Sequence, residues 1–557
     1  MRTKVGVLAA GLMSAMVWGC GGGNDVQPSI GSDGGQTDAG SDSGQPDSGT
    51  DAGCPFGAPC PVDAGPDAGT DAGTDAGIDA GIDAGPVDAG TDAGTDAGPV
   101  DAGTDGGVAV TIPDSAGWTF FQAKDGLGTT GMMGASTDEG GNLWVAGSTS
   151  GLFVMRKGAT RFEQFGLTDG LHPYGYMPDG SPSDLDPHLE AISVSGGVSG
   201  QVFVGYQGKL PPGTPEGQDC EGNWDNAPVP DPAIYKSGDA DKVTLSGNGI
   251  AVVHYDIFSG PNVVNNETRG REKLCNILKI VYEHGTNNVW FGGNHGFAWG
   301  HADFNGDPTC NGEYPGLQTT LNCAGVWEHV HPAINGPAGG TLTGDYRGIA
   351  LDQTTAHDVW FGGLNRTTRF KFGTDNGDYY KAETGTENDP SNIIDVWPDT
   401  IPNTQTKNQP MDDLVSGIVS LPPGPDTDPN SGSILVSSLQ HGVRHLSRGG
   451  AFLNDITGFD PHITAMAMDP EDGSLWLGHT GFGLGVTQIL ADGTIRNFQA
   501  DAFGDASKMA VTDIQIDTFT KIVDTSVKHN RVLITFAPGL DPASQSMAGV
   551  VAVHVTQ

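Results

Sequence analysis

Cysteine, histidine and acidic side chains are the reactive groups of this 557-residue chain, and their spacing limits the chemistry open to them. The seven cysteines are Cys20, Cys54, Cys60, Cys220, Cys275, Cys310 and Cys323. Cys20 ends an apolar N-terminal run. The other six form an even set, which in an exported protein points to disulfides. Cys54 with Cys60 would close a small local loop, and Cys310 with Cys323 would bracket one insertion. Pairing among Cys220, Cys275, Cys310 and Cys323 stays open. No C-x-x-C pair occurs, which disfavours zinc. Two loops, Asp303-Phe304-Asn305-Gly306-Asp307 and Asp375-Asn376-Gly377-Asp378, offer the oxygen ligands that Ca2+ takes. Neither has the full ligand set of an EF-hand, and Asp/Asn/Gly is also ordinary turn chemistry. His329 with His331, and His441 with His445, would each place two imidazoles on one strand face, without a third ligand. There is no G-x-S-x-G elbow and no H-E-x-x-H motif. No cofactor is therefore expected, Ca2+ at the two loops being the one candidate.

Charge narrows the partners. The chain carries 26 Lys+Arg against 68 Asp+Glu, a formal charge of −42. From Asn24 to Gly107 there are 17 aspartates and no Lys, Arg or Glu, and residues 108–557 keep 51 acids against 24 bases. Nucleic-acid binding needs Lys and Arg to neutralise phosphate, so it is not expected. Adsorption on anionic lipid by charge is disfavoured for the same reason. The excess acid suits an exposed, soluble surface.

The first nineteen residues read as a secretory signal. Arg2 and Lys4 precede an apolar run from Val5 to Trp18, too short for a membrane span. The run ends in Val17-Trp18-Gly19-Cys20, which resembles a lipobox. That resemblance implies cleavage before Cys20 and a diacylglycerol on its thiol, hence a membrane anchor of several acyl chains. No Asp follows Cys20 directly, which by the resemblance favours the outer membrane and the cell surface. Residues 20–107 form a stalk built on a four-residue unit, TDAG, IDAG or PVDAG. So little apolar surface cannot offset the entropy of ordering, so the stalk is expected to be disordered, and its regular charges extend it. A four-residue period matches neither the nine-residue calcium repeat nor an EF-hand loop ending in Glu. In composition the stalk is similar to those of myxobacterial surface lipoproteins.

From residue 108 to 557 the texture changes to short apolar runs punctuated by Gly, Asp, Asn and Pro, which predicts an all-β domain. One unit recurs seven times: a strand of small and apolar residues, a polar turn, and a second strand with one large residue. The copies are Met132–Gly147, Leu189–Tyr206, Ile277–Gly293, Tyr346–Gly363, Leu414–Ser438, Ile463–His479 and Val511–Gly539. Trp144, Phe203, Trp290, Trp360, Leu435, Trp476 and Leu533 occupy the equivalent large position. A sheet of this kind cannot bury both faces alone, so the copies are expected to stack as a seven-bladed β-propeller. In this reading the large residue fills the space between blades, and the glycine after it relieves crowding at the axis. Ring closure is also legible. Asp-Gly-Leu begins four residues after Phe165 and again after Phe121, so Trp118–Gln122 looks like an outer strand without inner partners upstream, while the seventh copy lacks an outer strand. Joining the two would leave no free edge.

The stretch GNLWVAGSTSGLFVMRKGATRFEQFGLTDGL, Gly141–Leu171, resembles the two-component-regulator propeller repeat, as does Gly473–Phe498. In that family such propellers are extracytoplasmic sensor regions, often carbohydrate-responsive. The resemblance carries the fold; function does not follow from fold. Long insertions are read at 208–242, 305–325, 384–409 and 421–432, where loops could shape a binding rim. The expectation is a non-enzymatic binding or sensing module for a glycan or protein partner. A propeller enzyme acting on extracellular polysaccharide, or a structural envelope component, is the alternative; carboxylates meeting in the channel at about 5–10 Å would favour the enzyme.

Overall fold

The computed structural model describes residues 107–554 except 174–187, 209–238, 256–275, 294–295, 306–325, 331–345, 355–357, 364–365, 371–392, 398–413, 425–431 and 524–527. All seven cysteines, and Asp307, Asp375, Asn376 and Asp378, lie outside the described residues, as do the signal and the stalk.

The strands form seven antiparallel four-stranded sheets. Their innermost strands are Gly134–Thr137, Ala191–Gly196, Ile277–Tyr282, Gly348–Leu351, Val415–Leu421, Ile463–Met468 and Ala510–Val523, which begin blades I to VII. Each inner strand touches the next, and Ala510–Val523 returns to Gly134–Thr137, so the sheets close a ring. The chain is a seven-bladed β-propeller. Trp118–Phe121 is the outermost strand of blade VII, paired antiparallel with Val550–His554 in the register Trp118↔His554 to Phe121↔Val551. One sheet thus joins the two ends of the domain, and Trp118–Phe121 covers the edge that Val550–His554 would otherwise expose. Among the described residues no helix is long and apolar enough to cross a membrane.

Seven apolar clusters fill the seven inter-blade gaps. The large residue of each repeat points into the gap with the following blade. Trp144 lies between I and II, Phe203 between II and III, Trp290 between III and IV, and Trp360 between IV and V. Leu435, Trp476 and Leu533 continue the series, and Leu533 completes it against blade I. All seven are at most 4% exposed, so each contributes about 1.5–3 kcal/mol of burial. The glycine two residues on has a different neighbour from the one expected. A Cβ on Gly362 would stand 2.3 Å from Val415 Cγ1, and one on Gly478 would stand 2.3 Å from Val511 Cγ1. The crowding comes from the start of the next blade's inner strand, not from the axis.

Asp-Gly-Leu is the connector between blades. Asp125 and Asp169 end 3-10 turns, and their carboxylates accept the backbone N–H of Gln122 (2.9 Å) and Gly166 (2.8 Å). Gly126 and Gly170 follow at φ 96° and 103°, a conformation only glycine adopts freely. Leu127 and Leu171 then insert into the gaps VII–I and I–II.

The insertion boundaries need correction. Residues 240–242 begin the strand Ala240–Ser246, Leu421 ends an inner strand, and Ile393–Trp397, inside the stretch read as one insertion, is the outer strand of blade IV. His441 precedes the strand Gly442–Ser447, so it does not share a strand face with His445.

Candidate functional site at the upper face

Let the upper face be the one where the inner strands begin and the lower face the one where they end. The inner strands line a central channel of about 160 Å³. Its chemistry is set by single side chains from distant blades. Lys279 of blade III reaches Asp513 of blade VII, Nζ to Oδ1 2.7 Å, and Gln515 Nε2 donates to the other carboxylate oxygen at 3.1 Å. An ion pair therefore spans the channel. Arg347 of blade IV lines the same wall. At the lower mouth three blades converge: His284 Nδ1 lies 3.0 Å from Glu139 Oε1 of blade I, and its ring packs 4.5 Å from that of Phe519 of blade VII.

The upper face is open. A cavity of about 740 Å³ lies there and shares Met133, Ala537 and Pro538 with the channel. One wall is the loop that leads into blade I, another the segment that returns to the last strand of blade VII. A third is Gly107 and Val108, the first described residues of the chain. Val108 is pinned in a parallel bridge to Met547, with Val108 N donating to Ser546 O at 2.5 Å and Ala548 N to Val108 O at 3.0 Å. Ser148 and Glu190 complete the lining, each 5% exposed. Ser148 and Ala191 exchange backbone hydrogen bonds of 3.0 Å, which fixes the turn of blade I to blade II. Glu190 Oε1 faces Ser148 Oγ at 3.4 Å and its Oε2 faces His188 Nε2 at 3.0 Å.

Backbone strain gathers on this face. Among the described residues the non-glycines with left-handed backbone are Ser148 (φ 50°) and Phe482 (φ 57°). Both sit in turns between the second and third strands of a blade, on the upper side. Such conformations cost on the order of 1 kcal/mol or more and cluster at working sites. Phe482 is also 55% exposed, an aromatic ring presented to solvent from a Gly-Phe-Gly turn.

On the outer strand of blade II, Gly249–Tyr255, a histidine is clamped between two carboxylates. His254 Nδ1 is 3.0 Å from Asp241 and Nε2 is 3.2 Å from Asp239; both aspartates are fully buried. Asp241 also accepts from Tyr206 Oη (2.7 Å) and His172 N (2.6 Å), and the His172 ring packs on His254. Burial alone would lower the His254 pKa, but the hydrogen bonds and charges of Asp239 and Asp241 outweigh it and raise it to about 9. Burial lifts the Asp241 carboxyl above its usual range against the pull of His254 and Tyr206. With both ring nitrogens engaged, this imidazole locks the upper rim and is not poised to take a substrate proton.

The pH dependence follows. A histidine held above its ordinary 6.5 stabilises the fold fully below pH 6.5 and loses that contribution as the pH climbs through about 9. The raised Asp241 acts in the same direction, since the folded state holds that proton more tightly than the unfolded one. The urea midpoint is expected to fall between pH 6.5 and 9, and to fall less in His254→Gln. Equal slopes in the two proteins would contradict this role.

The first loop with calcium-like chemistry makes contacts within the protein. Lys242 Nζ donates to the carbonyls of Ala302 (2.9 Å) and Phe304, and Asp303 Oδ1 accepts from Asn287 Nδ2 at 2.7 Å. Two backbone carbonyls of this segment thus meet an ammonium supplied by blade II. Burial lowers the Lys242 pKa to about 8 against the charge of Asp303. Asn305 is the last described residue of that loop. His445 bonds Asn454 and Ser433. Among the described residues no group of three or more His, Cys, Asp or Glu could hold a metal ion.

Sequence reasoning passed over Glu190, Ser148 and the clamp on His254. The clamp had one visible signal, the aspartates two apart at Asp239 and Asp241, on a stretch read as insertion. Glu190 had none, because Ser148, which shares its lining of the cavity, comes from another blade.

No protein-family model matches the chain, and a search of curated proteins finds no match. Solved structures do resemble it. The selenomethionine-substituted virginiamycin B lyase from Staphylococcus aureus is 11% identical with a TM-score of 0.39, covering 79% of this chain and 99% of that one. YCF48 bound to D1 peptide is 11% identical with a TM-score of 0.40, covering 81% and 100%. YCF48 from Cyanidioschyzon merolae is 11% identical with a TM-score of 0.40, covering 79% and 99%. Likeness at this level says nothing about activity.

Proposed function

We propose that this chain is an exported lipoprotein, anchored through Cys20 in the outer membrane and exposed at the cell surface. The stalk of residues 20–107 carries residues 108–557 as a non-enzymatic binding or sensing module for a protein partner or a glycan. The observation that supports this best is the one-sidedness of the ring. The channel is spanned by Lys279 and Asp513 and its lower mouth is crossed by His284, while a 740 Å³ cavity opens on the upper face. A ligand seat of that form, on rigid strands with loops around it, suits recognition. Two carboxylates facing one another would favour the polysaccharide-hydrolase form of the enzyme alternative. Among the described residues lining the channel, Asp513 is the one carboxylate, and Lys279 holds it.

A glycan array and a pull-down with the full chain, each with an assay for released product, test the reading. Capture of a saccharide or protein without product is the expected result. Product release would replace binding with catalysis, and silence in both would favour a structural envelope component. Acyl labelling that persists in Cys20→Ala would refute the anchor.

A further inference from the structure

Resting on the binding reading, the lining of the upper cavity selects among ligands. We infer that this cavity seats a cationic side chain of a protein partner, an ammonium or guanidinium on an aliphatic stem, with Glu190 as the receiving carboxylate. Among the described lining residues there is no lysine, arginine or histidine, so a phosphate, sulfate or carboxylate would find no counter-charge. There is also no aromatic ring there, so a pyranose would find no stacking surface inside the cavity. What the lining does offer is one buried carboxylate and several hydroxyls, including Thr130, Ser148 and Thr149, above an apolar floor of Met133, Pro538 and Leu540. That is the complement of a lysine or arginine, whose methylenes bury on apolar surface while the charged head meets an acceptor.

Glu190 is held for the task. Its Oε2 is oriented by His188, and Oε1 lies beside the hydroxyl of Ser148, a residue kept in left-handed backbone by its bridge to Ala191. A donor entering from the cavity would meet Oε1 and Ser148 Oγ together. Burial at 5% exposure strengthens such a bond relative to one in water. The wider field agrees: residues 108–557 carry 51 acids against 24 bases, which draws basic partners and repels acidic ones. The same lining makes the glycan arm of the binding reading less apt at this cavity.

The test uses two probes and the full chain. Nα-acetyl-lysine methylamide carries the ammonium; its Nε-acetylated form keeps the stem and loses the charge. In ligand-observed NMR titrations the charged probe is expected to bind at least about tenfold more tightly than the neutral one. Glu190→Gln preserves size and should remove that preference. Thr149→Lys changes an exposed rim residue, so the fold should survive while its own ammonium competes for the seat. Equal affinity for both probes, an unaltered preference in Glu190→Gln with a normal circular dichroism spectrum, or binding of neither probe to the wild-type chain would overturn the inference. A partner captured in the pull-down despite failure of the lysine probe would sink the cationic seat and leave the binding module standing. Failure of the array and pull-down together would sink the module itself.

Discussion

Trp118→Ala is expected to destabilise the propeller by about 3–5 kcal/mol, read as a fall in the urea midpoint of the full chain. Trp118 is 9% exposed on the closing strand, and its ring meets Trp476 (6.2 Å), Phe498 (5.2 Å), Phe503 (4.8 Å) and His554 (4.6 Å). Those partners belong to blades VI and VII and to the segment between them. The truncation leaves a cavity where two blades and the clasp between chain ends meet. It also loosens the four-residue strand that covers Val551–His554, so a rise in aggregation should accompany the loss. An unchanged midpoint would mean that the ring does not depend on this clasp.

Arg448→Ala carries the second large effect, again about 3–5 kcal/mol, because it strands buried carboxylates. Arg448 donates from Nε and Nη2 to Asp352 Oδ2 at 2.9 and 2.7 Å and from Nη2 to Asp358, with Asp352 side chain 2% and Asp358 6% exposed. The network ties blade IV to blade V. Burial already raises the Asp358 pKa, opposed chiefly by Arg448 and Arg369. Without Arg448 the carboxyl should take up a proton more readily. Stability curves of variant and wild type should therefore approach one another as the pH drops, because a protonated Asp358 no longer needs the cation. A gap between them that stays constant from pH 7 to pH 4 would refute the electrostatic origin of the effect.

How much of this was legible depends on whether neighbours in space are neighbours in the repeat. Strand count, blade boundaries and the clasp at Trp118 all follow from a local period, and local period survives in sequence. The Trp144 column was visible for the same reason. A second column was equally available and passed over: the acid that ends the inner strand in GASTD, GIALD, MAMD and IQID. Asp138 accepts from Trp144 Nε1 (3.0 Å) and from Gly200 N of the next blade (3.0 Å), and Asp469 accepts from Asn530 of the next blade at 2.6 Å. Asp in a turn is the commoner circumstance, so the sequence does not mark these aspartates as partners of the next blade. The glycine after the Trp was assigned to the axis because angular position round the ring leaves no trace in one chain. Ile393–Trp397 was lost inside an insertion because its separation from Arg366–Phe370 breaks the spacing set by the other blades. The channel pair Lys279–Asp513 joins residues 234 positions apart, and the Ser148–Glu190 contact crosses between blades, so neither has a sequence signature.

Hydrogen–deuterium exchange of the full chain, with and without saturating Nα-acetyl-lysine methylamide, bears most directly on the claim that the upper cavity is the ligand seat. Protection is expected at residues 129–133, 148–149 and 537–540, with no change in the lower turns 138–142 and 283–287. Protection centred on those lower turns, or spread along the outer strands, would contradict it.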